Sequence, residues 1–424
     1  MKLPALFKSF ILLGVLASAS VASLSAQSAF SSDPVAYYTE LLAAYNNDPV
    51  QAMQVADPAY AAILDEPRLI EVFGAERQWM TEGDKLQLKQ AGLAFMDVTD
   101  FEDIEVDRSF VRAEKSQAWP EIQRQDQVNK VISLLSVDTM REDLVTLTSF
   151  YNRFYRSDYG VKSSRWIFDQ VLQIVASAPP STRLSIETFT HSFPQSSIIA
   201  RFEPSGGRSS PSPKHPRDVL PRIILGAHQD SSNYKFPMFP APGADDDGSG
   251  TVTILAAFRA LVEAGFTPAA PVEFHWYAAE EGGLLGSQEV VKEYVALEKK
   301  VGAMIQFDMT AYVDPRSEPG VTLMTTDVHP SLTNWTLSLV PEYCSLSQKE
   351  GKLWPNAGSD HMSWHRAGFP AVFAAEGDPD KDEFDPWVHT VNDTMYLDEF
   401  SFEHALEFAK LAVGFAVELG GWTD

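Results

Sequence analysis

Residues 222–250, RIILGAHQDSSNYKFPMFPAPGADDDGSG, restrict what this chain can fold into more than any other stretch. The stretch begins with an apolar run that predicts a buried strand, and His228 and Asp230 follow directly at its end. Three consecutive acids at 245–247 then precede a Gly-Ser-Gly turn and an apolar pattern typical of a helix. The sequence therefore places a histidine and several carboxylates between one strand and one helix.

Two explanations account for the three adjacent acids to different extents. A helix N-cap with first-turn acids facing the helix dipole would explain one or two of them. It would not explain His228 and Asp230 at the tip of the preceding strand, where open α/β sheets place their ligands. A bound cation would offset the mutual repulsion of the carboxylates, so the stretch predicts a metal site.

The first residues have the features of a secretory signal peptide. Lys2 and Lys8 precede an apolar run at 10–21 that is too short to span a bilayer, and small residues follow at 17–26. We expect residues 1–26 to be removed, and the protein to be secreted and extracellular. A retained membrane anchor would need a longer apolar run.

Residues 27–122 differ from the rest of the chain. They contain predicted helices at 37–45 and 76–91 and an acidic cluster at 97–107, but no histidine or carboxylate group at the end of a predicted strand. We expect a propeptide here, with a small accessory domain as the alternative. The catalytic domain is then expected at 123–424.

From residue 127 onward, strand and helix patterns alternate, which predicts an α/β fold with a largely parallel central sheet. Strands are predicted at 184–193, 197–202, 223–228, 272–279, 301–307, 321–325 and 370–375. Helices are predicted at 128–135, 141–154, 163–175, 251–264, 287–297, 330–340 and 397–419.

The charge balance restricts the possible partners. The chain carries 58 acidic and 33 basic residues, a formal net charge of −25. Such a charge argues against nucleic acid and anionic membranes as partners. The single cysteine, Cys344, cannot form an internal disulfide, and no neighbouring residue predicts an activated thiol.

Chemistry-bearing residues recur after the predicted strands further along the chain. Glu280 and Glu281 precede two glycines, Asp308 follows the strand at 301–307, and His389 lies in a loop after Ser359-Asp360-His361. Histidines and carboxylates without a thiolate suit Zn²⁺ or a harder divalent ion. Two adjacent glutamates on a turn can divide their roles, one as a ligand and one as a base.

As an ordered set, the motifs GAHQDS, PGADDDGSG, EEGGLLGS, QFDMT, SDH and HTVNDT resemble those of the co-catalytic zinc aminopeptidases, most closely the secreted leucine aminopeptidases of fungi and bacteria. The resemblance covers about residue 127 to the C-terminus. It implies a three-layer α/β/α fold with a mixed, mostly parallel sheet. It also implies a monomeric enzyme that hydrolyses the N-terminal bond of peptides with a free N-terminus and prefers apolar residues such as Leu.

The resemblance also implies roles for individual residues. Two zinc ions per chain would share a bridging hydroxide, with Asp246 bridging the ions, Glu280 as general base and Asp230 orienting His228. The metal ligands by position would be His228, Asp246, Glu281, Asp308 and His389. The pocket for the first side chain would be lined by Met309, Phe373, Phe384 and Val388.

One loop departs from the family pattern. Relatives carry a C-x-x-x-C disulfide before the SDH motif, often with a Tyr between the cysteines. Here residues 354–358 read Trp-Pro-Asn-Ala-Gly, so the disulfide is missing and Asn356 replaces the Tyr that, in the family, helps to hold the oxyanion. This departure bears on rate and specificity, and leaves the metal ligands unchanged.

Three other functions remain open from the sequence. A glutaminyl cyclase would use one zinc ion, and a receptor-like relative would have lost its ligands. A carboxypeptidase would need an arginine to clamp a terminal carboxylate, and the candidates Arg259 and Arg366 lie in predicted helices. Both Asn334 and Asn392 match the glycosylation sequon. We expect a glycan at Asn334, because one at Asn392 would crowd the HTVNDT motif.

Overall fold

The structure, a computed structural model, describes residue 31 and residues 33–102, 118–204, 220–354 and 357–423. It consists of an eight-stranded mixed sheet between two layers of helices and a smaller part, residues 33–102, which we call the N-terminal segment. The predicted signal peptide and Asn356 lie outside the described residues. None of the described helices has the length and hydrophobicity needed to cross a membrane.

The N-terminal segment has its own three-stranded antiparallel sheet, in which β1 lies between β2 and β3. Its elements in chain order are α1 (Pro34–Ala44), α2 (Pro49–Ala56), α3 (Pro58–Ala61), β1 (Pro67–Val72), β2 (Gln78–Thr81), α4 (Glu82–Gln90) and β3 (Phe95–Asp97).

The remainder of the chain alternates strands and helices as the sequence predicts. The strands are β4 (Leu184–Phe189), β5 (Ser197–Phe202), β6 (Arg222–His228), β7 (Val272–Tyr277), β8 (Val301–Phe307), β9 (Gly320–Met324), β10 (Ser347–Gly351) and β11 (Ala371–Ala375). The helices are α5 (Gln125–Ile132), α6 (Val137–Leu147), α7 (Asp158–Ala176), α8 (Gly250–Glu263), α9 (Leu285–Ala296), α10 (Pro330–Tyr343), α11 (His361–Arg366) and α12 (Phe402–Gly420). An irregular turn, Ala244–Ser249, in which the backbone of Asp246 and Asp247 is not helical, leads into α8, and a 3₁₀ turn spans Pro379–Lys381.

The strand order of the large sheet is β10-β9-β11-β8-β6-β7-β5-β4. Its centre is parallel, because β11, β8, β6 and β7 all run in the same direction. The antiparallel pairs lie towards the two edges. The carboxyl ends of β6, β7 and β8 therefore meet at one edge of the sheet, where the loops after these strands begin.

The central strands are buried on both faces, which confirms the predicted three-layer α/β/α fold. Ile223 and Leu225 of β6 pack into the core beneath α8 and α12, whereas Ile224 packs on the opposite face beneath α9 and α11. Parallel strands covered on both faces read as continuous apolar runs, which is why the sequence pattern of β6 is so clear.

Several predicted elements were wrong or misplaced. The predicted helix at 76–91 is strand β2 followed by α4, because Thr81 and Asp84 form a capping box that starts a new helix at Glu82. The predicted helix at 141–154 runs instead over Val137–Leu147. Strand β10 escaped prediction because it is polar, and the small N-terminal sheet escaped prediction because its strands are only three to six residues long.

Candidate active site

Asp230 connects the loops that follow two neighbouring strands. One carboxylate oxygen accepts a hydrogen bond from the Glu280 amide (3.0 Å), and the other accepts one from the Glu281 amide (3.2 Å). Its Oδ1 also lies 3.5 Å from Nδ1 of His228, at the end of β6. A single buried carboxylate thus positions both the histidine and the pair of glutamates.

The three adjacent acids have different surroundings. Asp245 accepts from the Ala311 amide (3.0 Å), and Asp247 accepts from the backbone amides of residues 228, 250 and 309 at 2.8–3.1 Å. Asp246 instead directs Oδ1 to Nε2 of His228 (3.0 Å) and Oδ2 to Nε2 of His389 (2.7 Å). The middle carboxylate therefore lies between the two histidines, and its neighbours fix the backbone.

Two groups of side chains have the spacing of metal ligands. The ligand atoms of Asp246, Glu281 and His389 lie within 4.8 Å of one another, as do those of His228, Asp247 and Asp308. Since Asp247 already accepts three backbone hydrogen bonds, Asp246 is the better partner for His228 and Asp308. Asp308 is itself held by the Ser359 hydroxyl, which donates to its Oδ2 at 2.6 Å.

Buried polar atoms at this position fit a cation. Within the part of the chain that the structure describes, both ring nitrogens of His228 and Oε1 of Glu281 are buried and make no hydrogen bond of good geometry, although polar atoms of Asp246, Asp230 and His389 lie 3.0–3.5 Å away. A buried polar atom without a partner is costly, and a metal ion would supply that partner. The donor set of imidazoles and carboxylates is one that zinc accepts.

The pKa values reflect this concentration of charge. Burial would raise the pKa of Asp246, but His389 and His228 beside it hold the pKa well below its ordinary value. For Glu280, burial raises the pKa well above its ordinary value, and neighbouring carboxylates including Glu281 add to the effect while His228 opposes it. The surroundings therefore lower the pKa of Asp246 and raise the pKa of Glu280. Two neighbouring carboxyl groups whose pKa values are shifted in opposite directions are common in active sites, where the two groups have different roles.

A cavity of about 680 Å³ opens above these residues. The four residues predicted to form the substrate pocket all line it, together with the polar side chains described above. The lining includes His228, Asp246, Glu280, Glu281, Asp308, His389, Met309, Phe373, Phe384 and Val388. The structure thus brings together all the predicted metal-ligand, base and pocket residues. The predicted sequon residue Asn334 lies elsewhere, exposed on α10.

Comparison with known proteins gives the family. The profile of peptidase family M28 matches residues 212–413. Leucine aminopeptidase 1 of Trichoderma harzianum is 41% identical over 369 residues, which cover 84% of this chain and 88% of that protein. The chain belongs to peptidase family M28.

Solved structures agree with this assignment. The LapA aminopeptidase of Legionella pneumophila is 26% identical, covers 86% of this chain and 96% of its own, and superimposes with a TM-score of 0.68. A glutaminyl cyclase of Bacteroides thetaiotaomicron, 17% identical over 68% of this chain and 97% of its own, shares the fold with a TM-score of 0.51.

Some residues of this M28 site could not be found from the sequence. Arg153 is fully buried and donates to the carbonyl oxygens of Gln229 (2.7 Å), Gly243 (2.8 Å) and Pro242, which fixes both loops around the acids. Tyr234 stacks on His389 with ring centroids 3.6 Å apart. Arg153 and Tyr234 belong to no recognisable sequence motif, so the sequence could not indicate their roles. Ser359 is part of the SDH motif and was therefore the residue of this kind that the sequence could indicate.

We predict that Asp230→Asn lowers the affinity of the protein for zinc about 10–100-fold, the range seen when a residue that orients a ligand is lost. The asparagine side chain has only one acceptor oxygen, so it cannot accept a separate hydrogen bond on each of two oxygens from the backbone N–H groups of Glu280 and Glu281. The measurement is a zinc titration against a chromogenic chelator. Asp169→Asn, on the surface of α7, serves as the matched control, and equal affinities for the two variants would refute the prediction.

Proposed function

We propose that this M28 protein is a secreted zinc aminopeptidase that removes the N-terminal residue from peptides and prefers apolar residues such as Leu. The observation that carries the proposal is the position of Asp246, with one oxygen towards His228 and the other towards His389 beneath an apolar cavity. A shared carboxylate suits two neighbouring cations.

Two groups would hold the zinc ions, with Asp246 common to both. The residues are His228 and Asp308 in one group and Glu281 and His389 in the other. Bound zinc would supply Lewis acidity for the scissile carbonyl and lower the pKa of the attacking water. Glu280 would accept the proton of that water and deliver it to the departing amine. Asp230 would keep His228 and the Glu280 backbone in position throughout.

We predict that Glu280→Gln reduces turnover by roughly 10² or more while zinc content is unchanged, because the amide keeps the shape of the side chain but cannot accept a proton. Turnover of a Leu anilide and zinc content by elemental analysis are the two measurements. Glu293→Gln, on the surface of α9, is the control for the same chemical change. A Glu280→Gln protein with near-full activity would show that another residue is the base.

The apolar pocket favours apolar side chains at the substrate N-terminus. Burying Leu gains about 1.5–3 kcal/mol, whereas burying a charged group without a partner is costly. Trp354 also lines the cavity, with its ring 6.1 Å from that of Phe384. This position supports the idea that Trp354 fills the space left empty by the absence of the disulfide. The preference for Leu would then be maintained.

The decisive functional test compares kcat/KM for Leu, Phe, Lys and Glu anilides. We expect Leu to be cleaved at least about tenfold better than Lys and Glu, since Met309, Phe373, Phe384 and Val388 offer neither charge a partner. Charged residues cleaved as well as Leu would contradict the pocket assignment. No cleavage of any anilide, with zinc bound, would contradict aminopeptidase activity itself.

The rival functions are less well supported by the site. A single-zinc glutaminyl cyclase shares the fold, but the grouping of His228 and Asp308 beside Asp246 favours a second ion. A carboxypeptidase needs a free arginine, yet Arg259 pairs with Asp143 (2.9 Å) and Arg366 pairs with Glu71 (2.8 Å). A receptor-like protein would have no reason to retain Glu280 beside all five candidate ligands.

We further propose that residues 1–26 are a signal peptide, that 27–122 are a propeptide, and that the mature enzyme is a glycosylated monomer. The exposure of Asn334 supports its modification. The N-terminal segment contributes to the walls of the catalytic cavity, which supports an uncleaved form of lower activity. Intact-mass analysis of fully active secreted protein that still carries residues 27–122 would refute the propeptide.

A further inference from the structure

The N-terminal segment covers the catalytic cavity and is joined to the catalytic domain beside Glu281. The Asp97 amide donates to the Gly283 carbonyl (3.0 Å), and the Gln288 side chain donates to the Asp97 carbonyl (3.0 Å). The residues that the segment contributes to the cavity are Val35, Thr39, Phe73, Lys89, Gly92, Ala94 and Phe95. Lys89 is the one charged residue in this list.

Lys89 reaches the candidate metal ligands directly. Its Nζ lies 3.0 Å from Oε2 of Glu281, and the residue is only 6% exposed. Its Nζ also lies 4.6 Å from the centre of the Tyr234 ring, which stacks on His389. The ammonium therefore contacts one member of the Asp246–Glu281–His389 group and adjoins a second through Tyr234.

A buried ionic network holds α4 in the position that directs Lys89 towards Glu281. Glu82 pairs with Arg68 (2.7 Å) and Lys85 (3.2 Å), and Lys85 also pairs with Asp97 (2.9 Å). Burial would raise the pKa of Glu82, but Lys85 and other cations lower it to about 2. Lys85 and Lys89 are four residues apart and so lie on one face of α4. The position of the Lys89 ammonium thus follows from the fold of the segment.

The two oxygens of Glu281 face different groups. Oε2 accepts from Lys89, whereas Oε1 is buried, has no hydrogen bond among the described residues and lies 3.5 Å from Nε2 of His389. A divalent cation held by Oε1 and His389 would therefore share its carboxylate with an ammonium. In a buried site, two positive charges that share one carboxylate repel each other.

We propose that Lys89 is an internal cation that opposes metal binding at the Asp246–Glu281–His389 group, so that docking of the N-terminal segment and occupation of this group by zinc weaken each other. The inference rests on the proposed function, because it requires that this group binds a metal. Binding equilibria are reciprocal, so zinc must loosen the docked segment by the same factor by which the segment weakens zinc. The N-terminal segment would then dock more weakly on the catalytic domain when zinc is bound.

The test measures zinc binding by the full-length chain with the segment intact. Lys89→Met removes the charge and keeps the length of the side chain, whereas Lys89→Arg keeps the charge. Lys235→Met is the matched control, because Lys235 lines the same cavity but its ammonium lies over the Phe239 ring at 5.5 Å. Isothermal titration with zinc in competition with a chelator gives the affinity for each ion.

We expect Lys89→Met to bind the weaker of the two zinc ions at least about tenfold more tightly than the unsubstituted chain, with Lys89→Arg and Lys235→Met unchanged. Zinc should also speed proteolytic cleavage within the segment in the unsubstituted chain more than in Lys89→Met. An equal or lower affinity in Lys89→Met would overturn the inference and leave the zinc site in place. Failure of every variant to bind zinc would instead overturn the proposed function on which the inference rests.

Discussion

The carboxylate of Asp246 between His228 and His389 is the contact on which the rest of the site depends. A carboxylate can be held there, beneath a buried sheet edge, only if its neighbours keep the backbone fixed and do not compete for the same partners. Asp245 and Asp247 meet this condition because backbone amides occupy Oδ1 of Asp245 and both oxygens of Asp247. Within the acidic triplet, Asp246 is thus the candidate ligand for both ions, and Asp245 and Asp247 hold the backbone in place. Arg153 donates hydrogen bonds to the carbonyl oxygens of the loops around the triplet.

This division of roles explains how far the sequence could be used to predict the site. The parallel centre of the sheet followed from the alternation of buried strands and helices, and the motifs after β6, β7 and β8 had to meet because those strands end at one edge. The family pattern then separated Asp246 from Asp245 and Asp247. Spacing alone could not do so, because three adjacent acids are equivalent until the backbone amides that contact them are known.

The N-terminal segment shows where sequence-based reasoning failed. Its strands are only three to six residues long and its helix α4 is mostly polar, so neither periodicity nor length distinguished β2 from a helix. Lys89 carried no signal, since it contacts a residue 192 positions away and belongs to no motif. Contacts of this kind depend on how two separate sheets and their helices pack, which a local pattern does not encode. The boundaries of the signal peptide and propeptide, and the effect of Asn356, remain predictions.

The most direct measurement of the central claim is a crystal structure of the zinc-loaded protein with anomalous data collected at the zinc absorption edge. The account predicts two anomalous peaks separated by about 3.5–4 Å, one bound by His228, Asp308 and Asp246 and the other by Asp246, Glu281 and His389. A single peak, or two peaks that do not share Asp246, would contradict it.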